Sequence, residues 1–440
     1  HCVPLLLLDT NVDGNSPSDR EFTAWLYGGD QRYRLGQEII LGVGGVRMLR
    51  ALGYTQLERF HMNEGHAAFL VLELLNEPGT DWDFEQVRNR CVFTTHTPVP
   101  AGHDQFPYEL VQQVLTEPFT LETIQMLGGQ DRLNMTRLAL NISRYVNGVA
   151  KKHGEVSREM FAGYTINSIT NGVHSRTWTC PSFRQLFDRF IPDWTNDPFS
   201  LRYAISIPKD EIWQAHLEAK GTLLTEVQRR AGVQLSPGVL AIGFARRATA
   251  YKRTDLVLSD PDKLTQLARS AGPIQLLFAG KAHPQDQPGK DIIRHICDLA
   301  RQIQNQVKIV YLPDYDMELA AWLTGGVDLW LNTPLRPQEA SGTSGMKAAH
   351  NGVPSLSVLD GWWIEGHIEG VTGWSIGQPA GTDSSQDADD LYRKLRTDIL
   401  PMFYTDRERW TGVMRQAIAF NASFFNTHRM VQQYAANAYI

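Results

Sequence analysis

Short apolar runs alternate with helical stretches in the second half of the chain, and this rhythm constrains the fold more than any other feature. The runs are 239–244, 274–279, 307–312, 327–331 and 354–358. Strands that are buried on both faces of a parallel sheet read as continuous apolar runs, and alternation with helices is typical of βαβ units. The sequence therefore predicts an α/β protein with a doubly wound parallel sheet, which holds ligands in the loops that follow its strands.

The chain is too long for one ordinary domain. At 440 residues it exceeds the usual single-domain range, so two domains with separate cores are expected. The clearest linker is 232–238, which follows a long charged amphipathic helix. We therefore predict domains at 1–232 and 233–405, followed by helices at 406–440 that pack against either domain.

Composition excludes several classes of protein. The net charge of -6 argues against nucleic acid as the main partner, and no apolar run reaches the roughly 20 residues that cross a bilayer. The apolar run at 5–8 lacks the flanks of a signal peptide and is predicted to be a buried strand, so a cytoplasmic location and a start inside a domain are expected. No zinc site or disulfide framework is predicted, because there is no CxxC pair among Cys2, Cys91, Cys180 and Cys297.

Polar side chains follow several predicted strands of the first half. His96 and His103 follow a strand at 91–95, and Asn171 follows one at 166–170. Because ligands bind at the carboxyl ends of parallel strands, these loops are candidate parts of a site. His61 and His66 are five residues apart and do not share a helical face, so no metal site is predicted. Trp178 and Trp194 fit a core or a sugar platform equally well.

The stretch 339–347, Glu-Ala-Ser-Gly-Thr-Ser-Gly-Met-Lys, lies between a predicted strand and a predicted helix. Gly342 and Gly345 allow close backbone approach, and amides at a helix start favour anions such as phosphate. Lys347 could pair with a phosphate or form an imine with an aldehyde cofactor. A capped helix with a solvated lysine explains the stretch equally well.

A second loop is strongly basic. It follows the run at 239–244 and contains four cations in eight positions, namely Arg246, Arg247, Lys252 and Arg253. A solvated basic turn is one interpretation. Lys281, His283 and Tyr315 follow the next two strands, however, and several cations at one sheet edge favour a phosphate or a similarly charged ligand.

Five motifs, in the same order along the chain, resemble the α-glucan phosphorylases that act on glycogen, starch or maltodextrin. They are the stretch 339–347, the loop ending Tyr251-Lys252-Arg253, Phe93-Thr-Thr-His96-Thr, Thr170-Asn171-Gly172 and Val146-Asn147-Gly-Val-Ala-Lys151. The form of the first motif is most similar to the shorter bacterial and archaeal branch. The resemblance implies two Rossmann-like domains facing a cleft, the GT-B glycosyltransferase fold, with the N-terminal domain incomplete in this chain.

The resemblance also implies a cofactor and a set of site residues. Lys347 matches the lysine that holds pyridoxal 5'-phosphate as a Schiff base, and Arg247 and Lys252 match the pair that binds the substrate phosphate. The other residues implied at the cofactor are Thr343, Ser344, Arg246 and Tyr315. Those implied at the sugar or glucan are His96, which meets the C6 side, Glu339, Asn171, Glu64, Ser341, Gly342 and Tyr251.

The implied reaction is reversible phosphorolysis of a terminal α-1,4-glucosyl bond, which releases α-glucose 1-phosphate with retention. The family is often dimeric, and no extended regulatory segment is visible. The family's N-terminal glycine-rich loop has no counterpart in this chain. Two rivals are a retaining nucleotide-sugar glucosyltransferase of the glycogen-synthase kind and a non-catalytic glucan-binding homologue. Many such transferases carry two glutamates separated by seven residues, and the second binds the donor ribose. Eight positions after Glu339, where that second glutamate would stand, this chain has Lys347.

Overall fold

The computed structural model describes residues 3–26, 29–80, 82–115, 119–284, 286–378 and 383–440. Its contacts divide the chain into two compact units. Unit 1 comprises His1–Val149, Gly154–Ile169 and Ala435–Ile440, and unit 2 comprises Ala150–His153 and Thr170–Tyr434. The division differs from the predicted boundary at 232, because the helix Lys209–Ala231 buries Leu223 and Val227 in a core of unit 2.

Unit 1 is built on a parallel sheet of four strands in the order β1-β2-β5-β6. The strands are β1 (Phe60–Asn63), β2 (Cys91–Thr94), β5 (Tyr145–Gly148) and β6 (Asn167–Ser168), and a short antiparallel pair is formed by β3 (Gln105–Phe106) and β4 (Leu133–Asn134). The helices are α1 (Gln31–Ile39), α2 (Gly45–Ala51), α3 (Leu70–Leu75), α4 (Phe84–Arg90), α5 (Tyr108–Val114), α6 (Leu121–Gly128), α7 (Met135–Asn141) and α8 (Lys151–Met160). The first residues of α8 group with unit 2.

One sequence interpretation of unit 1 is wrong and another is incomplete. The run at 5–8 forms no strand, and Leu5 and Leu7 are more than four-fifths exposed, because apolar character alone supplies no partner strand. The sequence of 134–161 also predicts two helices without a strand; the structure has both helices, α7 and α8, but places β5 between them. The sequence does not predict β5, because its residues Asn147 and Gly148 are of types uncommon in strands.

Unit 2 is built on a parallel sheet of six strands in the order β12-β11-β10-β7-β8-β9. The strands are β7 (Leu240–Ala245), β8 (Ile274–Ala279), β9 (Lys308–Leu312), β10 (Leu329–Asn332), β11 (Ser355–Val358) and β12 (Gly373–Ile376). The first five lie within two residues of the predicted runs. The doubly wound α/β sheet is therefore confirmed for this half, and only β12 was missed.

Both faces of this sheet are covered. On β7, Ile242 and Phe244 belong to one apolar cluster, whereas Ala241 and Ala245 belong to another on the opposite face. The helices of unit 2 are α9 (Ser175–Trp178), α10 (Pro181–Phe190), α11 (Lys209–Ala231), α12 (Pro261–Ser270), α13 (Gln287–Gln302), α14 (Met317–Gly326), α15 (Ser344–Ala349), α16 (Trp363–Gly366), α17 (Ser384–Lys394), α18 (Leu400–Thr405), α19 (Arg407–Gln416) and α20 (Thr427–Tyr434).

Among the described residues, no helix is both long and apolar enough to cross a bilayer. The same part of the chain has no group of three or more His, Cys, Asp or Glu side chains arranged to hold a metal ion. Cys91, Cys180 and Cys297 are free thiols, and Cys2 lies outside the described residues.

Candidate functional site

The strand order of unit 2 reverses between β7 and β10. From β7 the chain proceeds through β8 to β9 on one side, and then returns to lay β10, β11 and β12 on the other. Ligands of open α/β sheets bind at such a switch point, beyond the carboxyl ends of the strands. The basic loop follows β7 and the stretch 339–347 follows β10. The two most distinctive motifs of the sequence therefore meet at the position where this sheet can hold a ligand.

The centre of this region is one carboxylate bound by two cations. Oε2 of Glu339 accepts hydrogen bonds from the Arg246 guanidinium and from Nζ of Lys252, the latter at 2.7 Å. Burial alone would raise the pKa of Glu339, but the two positive charges outweigh it and lower that pKa. Burial, together with the Arg246 charge, lowers the pKa of Lys252 to about 8. The cluster of Arg246, Lys252 and Glu339 thus contains two positive charges and one negative charge.

Asp360 supports this carboxylate from behind. Its Oδ2 accepts from the backbone N–H of Glu339 at 2.9 Å, and its Oδ1 accepts from the N–H of Gly361 at 2.9 Å. Burial raises the pKa of Asp360 to about 6. Asp360 was not predicted as a site residue, because it lies 21 positions after Glu339 and the sequence does not show their contact.

Lys347 is half-buried on the last turn of α15. Its Nζ lies 3.6 Å from the centroid of the Trp178 ring, and burial lowers the pKa of its amine to about 8. The sequence fits Trp178 to a core or a sugar platform, and in the structure its partly buried ring packs against an apolar cluster that includes Met346 and Trp362 and also covers Lys347. The solvated-lysine interpretation is therefore wrong. A lysine with a lowered pKa carries more neutral amine near neutral pH, and neutral amine is the form that attacks carbonyl groups.

The turn before α15 brings backbone and hydroxyl groups close together. Gly342 has φ 73°, a left-handed conformation that favours glycine, and a Cβ on Gly345 would lie 2.7 Å from the Trp362 ring. Helix α15 begins at Ser344, and the Thr343 side chain makes no capping hydrogen bond. The Ser344 hydroxyl accepts from Nε1 of Trp330 at 3.0 Å. The predicted strand, turn and helix are therefore all present around the motif.

Several buried polar atoms at this edge have no hydrogen-bond partner among the described residues. They are Nη1 of Arg246, Oγ1 of Thr249 and Oγ of Ser341. Leaving a buried polar group unpaired costs about 1–3 kcal/mol, so such atoms mark places where a ligand or water completes the structure. A guanidinium N–H and two hydroxyls are suitable donors for an oxyanion.

The remaining predicted residues of the β7 and β9 loops divide into two groups. Arg247 is exposed, Tyr251 and Tyr315 are partly buried, and Nζ of Lys252 lies 4.4 Å from the Tyr251 ring centroid. Arg253, by contrast, is buried and its Nη2 pairs with Oδ2 of Asp387 at 2.7 Å. The basic loop therefore offers three cations to a ligand rather than four, since Arg253 anchors the loop.

In unit 1, Glu64 is held in an unusual conformation after β1. Its φ of 81° is rare for a residue with a side chain, and such strain of about 1–3 kcal/mol persists where surrounding contacts impose it. The Glu64 carboxylate accepts from the N–H groups of Gly65 and His96 and from Oγ1 of Thr97, at 2.9, 2.6 and 2.9 Å. This side chain therefore fixes the loop after β2, where His96 lies.

The histidines of unit 1 differ in their surroundings. Nε2 of His96 contacts Oδ1 of Asn63 at 2.5 Å, and burial lowers the pKa of His96. His103 is buried, its Nδ1 contacts Oγ1 of Thr136 at 2.8 Å, and its Nε2 has no partner among the described residues. Burial lowers the pKa of His103 as well, so both rings favour the neutral form. Within unit 1 the structure brings Glu64 and His96 together through the hydrogen bond from the His96 N–H to the Glu64 carboxylate.

Asn171 belongs to unit 2 and lies in the loop after β6. Its backbone carbonyl accepts from Nη2 of Arg429 at 2.9 Å, whereas its partly buried side-chain amide makes no hydrogen bond within the described residues. A carboxamide of this kind has donors and an acceptor available for a ligand.

Comparison with known proteins identifies the group to which this architecture belongs. A family model described as carbohydrate phosphorylase matches residues 117–372. The chain is 39% identical to maltodextrin phosphorylase of Thermococcus litoralis, over 99% of this chain and 57% of that protein. It is 38% identical to glycogen phosphorylase of Mycobacterium tuberculosis, over 99% and 58%. It is 36% identical to glycogen phosphorylase of Aquifex aeolicus, over 99% and 70%. The chain thus spans less than two-thirds of the length of the first two of these relatives.

Proposed function

The chain belongs to the carbohydrate phosphorylase family, and from that premise we propose that it carries the catalytic site of an α-1,4-glucan phosphorylase. The proposed reaction is reversible phosphorolysis of terminal α-1,4-glucosyl units to α-glucose 1-phosphate with retention. The relatives named as maltodextrin and glycogen phosphorylases support this class of substrate. We also propose the GT-B arrangement for the complete protein.

The observation that carries the proposal is the charge pattern at the switch point. Arg246 and Lys252 converge on one carboxylate, and Lys347 stands where the rival transferases have a ribose-binding acid. Two cations beside exposed Arg247 suit two phosphate groups, whose mutual repulsion requires positive charge. A nucleotide-sugar site would instead need the acid that this chain lacks.

The residues present fit pyridoxal 5'-phosphate as the cofactor. The unpartnered Nη1 of Arg246 lies in the loop after β7, and the unpartnered Oγ of Ser341 lies in the loop before α15. Lys347 is on α15, and its amine has a lowered pKa suited to an aldehyde. Lys347 would hold the aldehyde carbon, Arg246, Thr343 and Ser344 the phosphate, and Tyr315 one side of the cofactor. When bound, this cofactor supplies a phosphate group that exchanges a proton with inorganic phosphate.

The other site residues act on the substrates. Arg247 and Lys252 would bind inorganic phosphate, whose anion stabilises the positive charge that develops on the departing glucosyl group. Once phosphate engages the cations, the Glu339 carboxylate can accept hydrogen bonds from sugar hydroxyls. Asn171 and His96 would contact the sugar, His96 on its C6 side. The family resemblance also assigns Ser341, Gly342, Tyr251 and Glu64 to the substrate.

The test is release of glucose 1-phosphate from maltodextrin and phosphate after addition of pyridoxal 5'-phosphate. Because this chain spans only part of its relatives, the same assay should include a protein extended to their full length. We expect Lys252→Ala to lower phosphate affinity and rate together, and Lys308→Ala, which changes an exposed lysine of unit 2, to change neither. Near-normal phosphorolysis by the Lys252→Ala protein would overturn the assignment.

A second measurement separates the rival functions. Reduction of the cofactor-treated protein with borohydride should leave a pyridoxyl group on the peptide that contains Lys347. Turnover of a nucleotide sugar without that adduct would support the glucosyltransferase, and maltodextrin binding without either reaction would support the glucan-binding homologue. On the resemblance alone we also propose a homodimer in the cytoplasm, and sedimentation of the full-length protein tests the dimer.

A further inference from the structure

The loop that carries Asn171 is held by a residue from the far end of the chain. Nη1 of Arg429 donates to the carbonyl of Thr170 at 2.5 Å, and Nη2 donates to the carbonyl of Asn171 at 2.9 Å. Nε of the same guanidinium donates to the carbonyl of Phe424 at 2.9 Å. Arg429 therefore uses both ends of its planar fork to fix two consecutive peptide groups, a geometry that lysine cannot reproduce.

The other side of the loop is held by a carboxylate. Glu365 accepts hydrogen bonds from the Thr170 hydroxyl at 2.8 and 2.9 Å and from the N–H of Lys151 at 3.0 Å. Burial lowers the pKa of the Arg429 guanidinium to about 10, and the negative charge of Glu365 partly opposes this shift. The carbonyl and the hydroxyl of Thr170 are thus held by groups of opposite charge.

The backbone after Asn171 is also fixed. A Cβ on Gly172 would lie 2.2 Å from the carbonyl oxygen of Asn426, so the two chain segments are in direct contact there. The N–H of Val173 donates to the carbonyl of Phe425 at 3.1 Å, and the N–H of Thr427 donates to the carbonyl of Val173 at 3.0 Å. The main chain on both sides of Asn171 is bound, whereas its side-chain amide has no partner among the described residues.

We infer that Arg429 is a positioning residue for the sugar: it fixes the Thr170 and Asn171 peptide groups so that the Asn171 carboxamide is held ready for a sugar hydroxyl. Glu365 has the same role through Thr170. The inference rests on the proposed function, because it takes Asn171 as a sugar contact. Preorganised groups bind more tightly since ordering costs are met before the ligand arrives.

The decisive experiment is a double-mutant cycle on the phosphorylase reaction. We expect Asn171→Ala to lower kcat/KM for maltodextrin by about tenfold or more, as expected when a hydrogen bond to the sugar is lost. Arg429→Lys should lower it by about the same factor, with the KM for phosphate unchanged. The double variant should lose little more than either single variant, because both changes remove the same contact.

Controls separate positioning from general damage. Arg415→Lys is the matched control, since Nη1 of Arg415 also donates to a main-chain carbonyl of unit 2, that of Ile207 at 3.3 Å. We expect it to retain kcat/KM. If Arg429→Lys fails to fold, Glu365→Gln tests the same role, because the amide keeps the shape of the side chain and loses one acceptor. Multiplied losses in the double variant, or equal losses in the Arg429 and Arg415 variants, would overturn the inference.

A binding measurement distinguishes failure of this inference from failure of the proposed function. Calorimetry with maltodextrin reports the Asn171 contact without turnover. A chain whose maltodextrin affinity depends on Asn171 and Arg429 non-additively, yet which releases no glucose 1-phosphate at full length, would refute the reaction and retain the positioning role. A full-length protein that is active but indifferent to Arg429→Lys would retain the reaction and refute the role.

Discussion

Lys347 should react with aldehydes far faster than an exposed lysine at neutral pH. Burial lowers the pKa of its amine from 10.5 to about 8. At pH 7 about one-tenth of such amines are neutral, against about one in 3,000 for a lysine with the ordinary value, a difference of about 300-fold. A less basic amine is a weaker nucleophile, and Lys347 is half-buried, so we expect a net rate advantage of at least about tenfold.

The assay is reductive methylation with limiting formaldehyde and cyanoborohydride, followed by mass spectrometry of peptides. Exposed Lys308 serves as the internal reference. Neutral amine accumulates as pH rises through the pKa, so labelling of Lys347 should rise with a midpoint near pH 8. Trp178 covers the amine at 3.6 Å, and Trp178→Ala should therefore admit water and move that midpoint upwards.

Two results would refute the reasoning. The first is labelling of Lys347 at pH 7 no faster than labelling of Lys308. The second is an unchanged midpoint in the Trp178→Ala protein, which would mean that burial by the indole does not set the pKa. A contact between a cation and an aromatic face favours the charged amine by about 0.5–2 kcal/mol, so a midpoint that moves downwards would assign the dominant effect to that attraction instead.

Three further predictions concern stability and are measured by urea unfolding. Asp328→Ala should cost about 3–5 kcal/mol, because it leaves the buried Lys220 amine, 2.6 Å from the carboxylate, without its charge partner; a cost below about 1 kcal/mol would contradict this. Gly345→Ala should cost about 1–3 kcal/mol through its clash with Trp362, and unchanged stability would mean that the ring moves freely. Burial opposes ionisation of Glu369, but hydrogen bonds from a histidine and a lysine lower its pKa to about 2. The stability of the protein relative to the Glu369→Gln variant should therefore be greatest above pH 4.5 and should decline as the pH falls towards 2. A stability difference that grows on acidification would contradict this prediction.

The sequence predicted the sheet of unit 2 well because its strands are buried on both faces. Such strands need apolar residues at every position, so β7 and β8 read as uninterrupted runs. The edge strand β12 was missed because Gly373 and Ser375 interrupt its apolar pattern. The prediction of a strand at 5–8 failed for the opposite reason: its residues are apolar, but no strand of the described residues pairs with them.

The site was predicted in part, because contacts local to a motif can be read from its sequence and distant partners cannot. Spacing placed Glu339 and Lys347 on one turn and helix. It counted Arg253 as a ligand-binding cation, whereas its partner Asp387 lies 134 residues away. The cover on Lys347 and the contacts of Arg429 also come from remote segments. Folding alone brings these pairs together.

The Glu339 carboxylate already occupies two of the cations that an incoming anion would bind. Arg246 and Lys252 already hold an anion of the same chain, which the fold fixes beside them from the loop after β10, so this carboxylate competes with an incoming anion at a high effective concentration. In the proposed reaction, phosphate would have to displace that internal anion rather than fill an uncompensated positive charge. Under that proposal, competition would moderate the affinity for phosphate, and the arrival of phosphate would release the carboxylate for the sugar, which would couple phosphate binding to glucan binding.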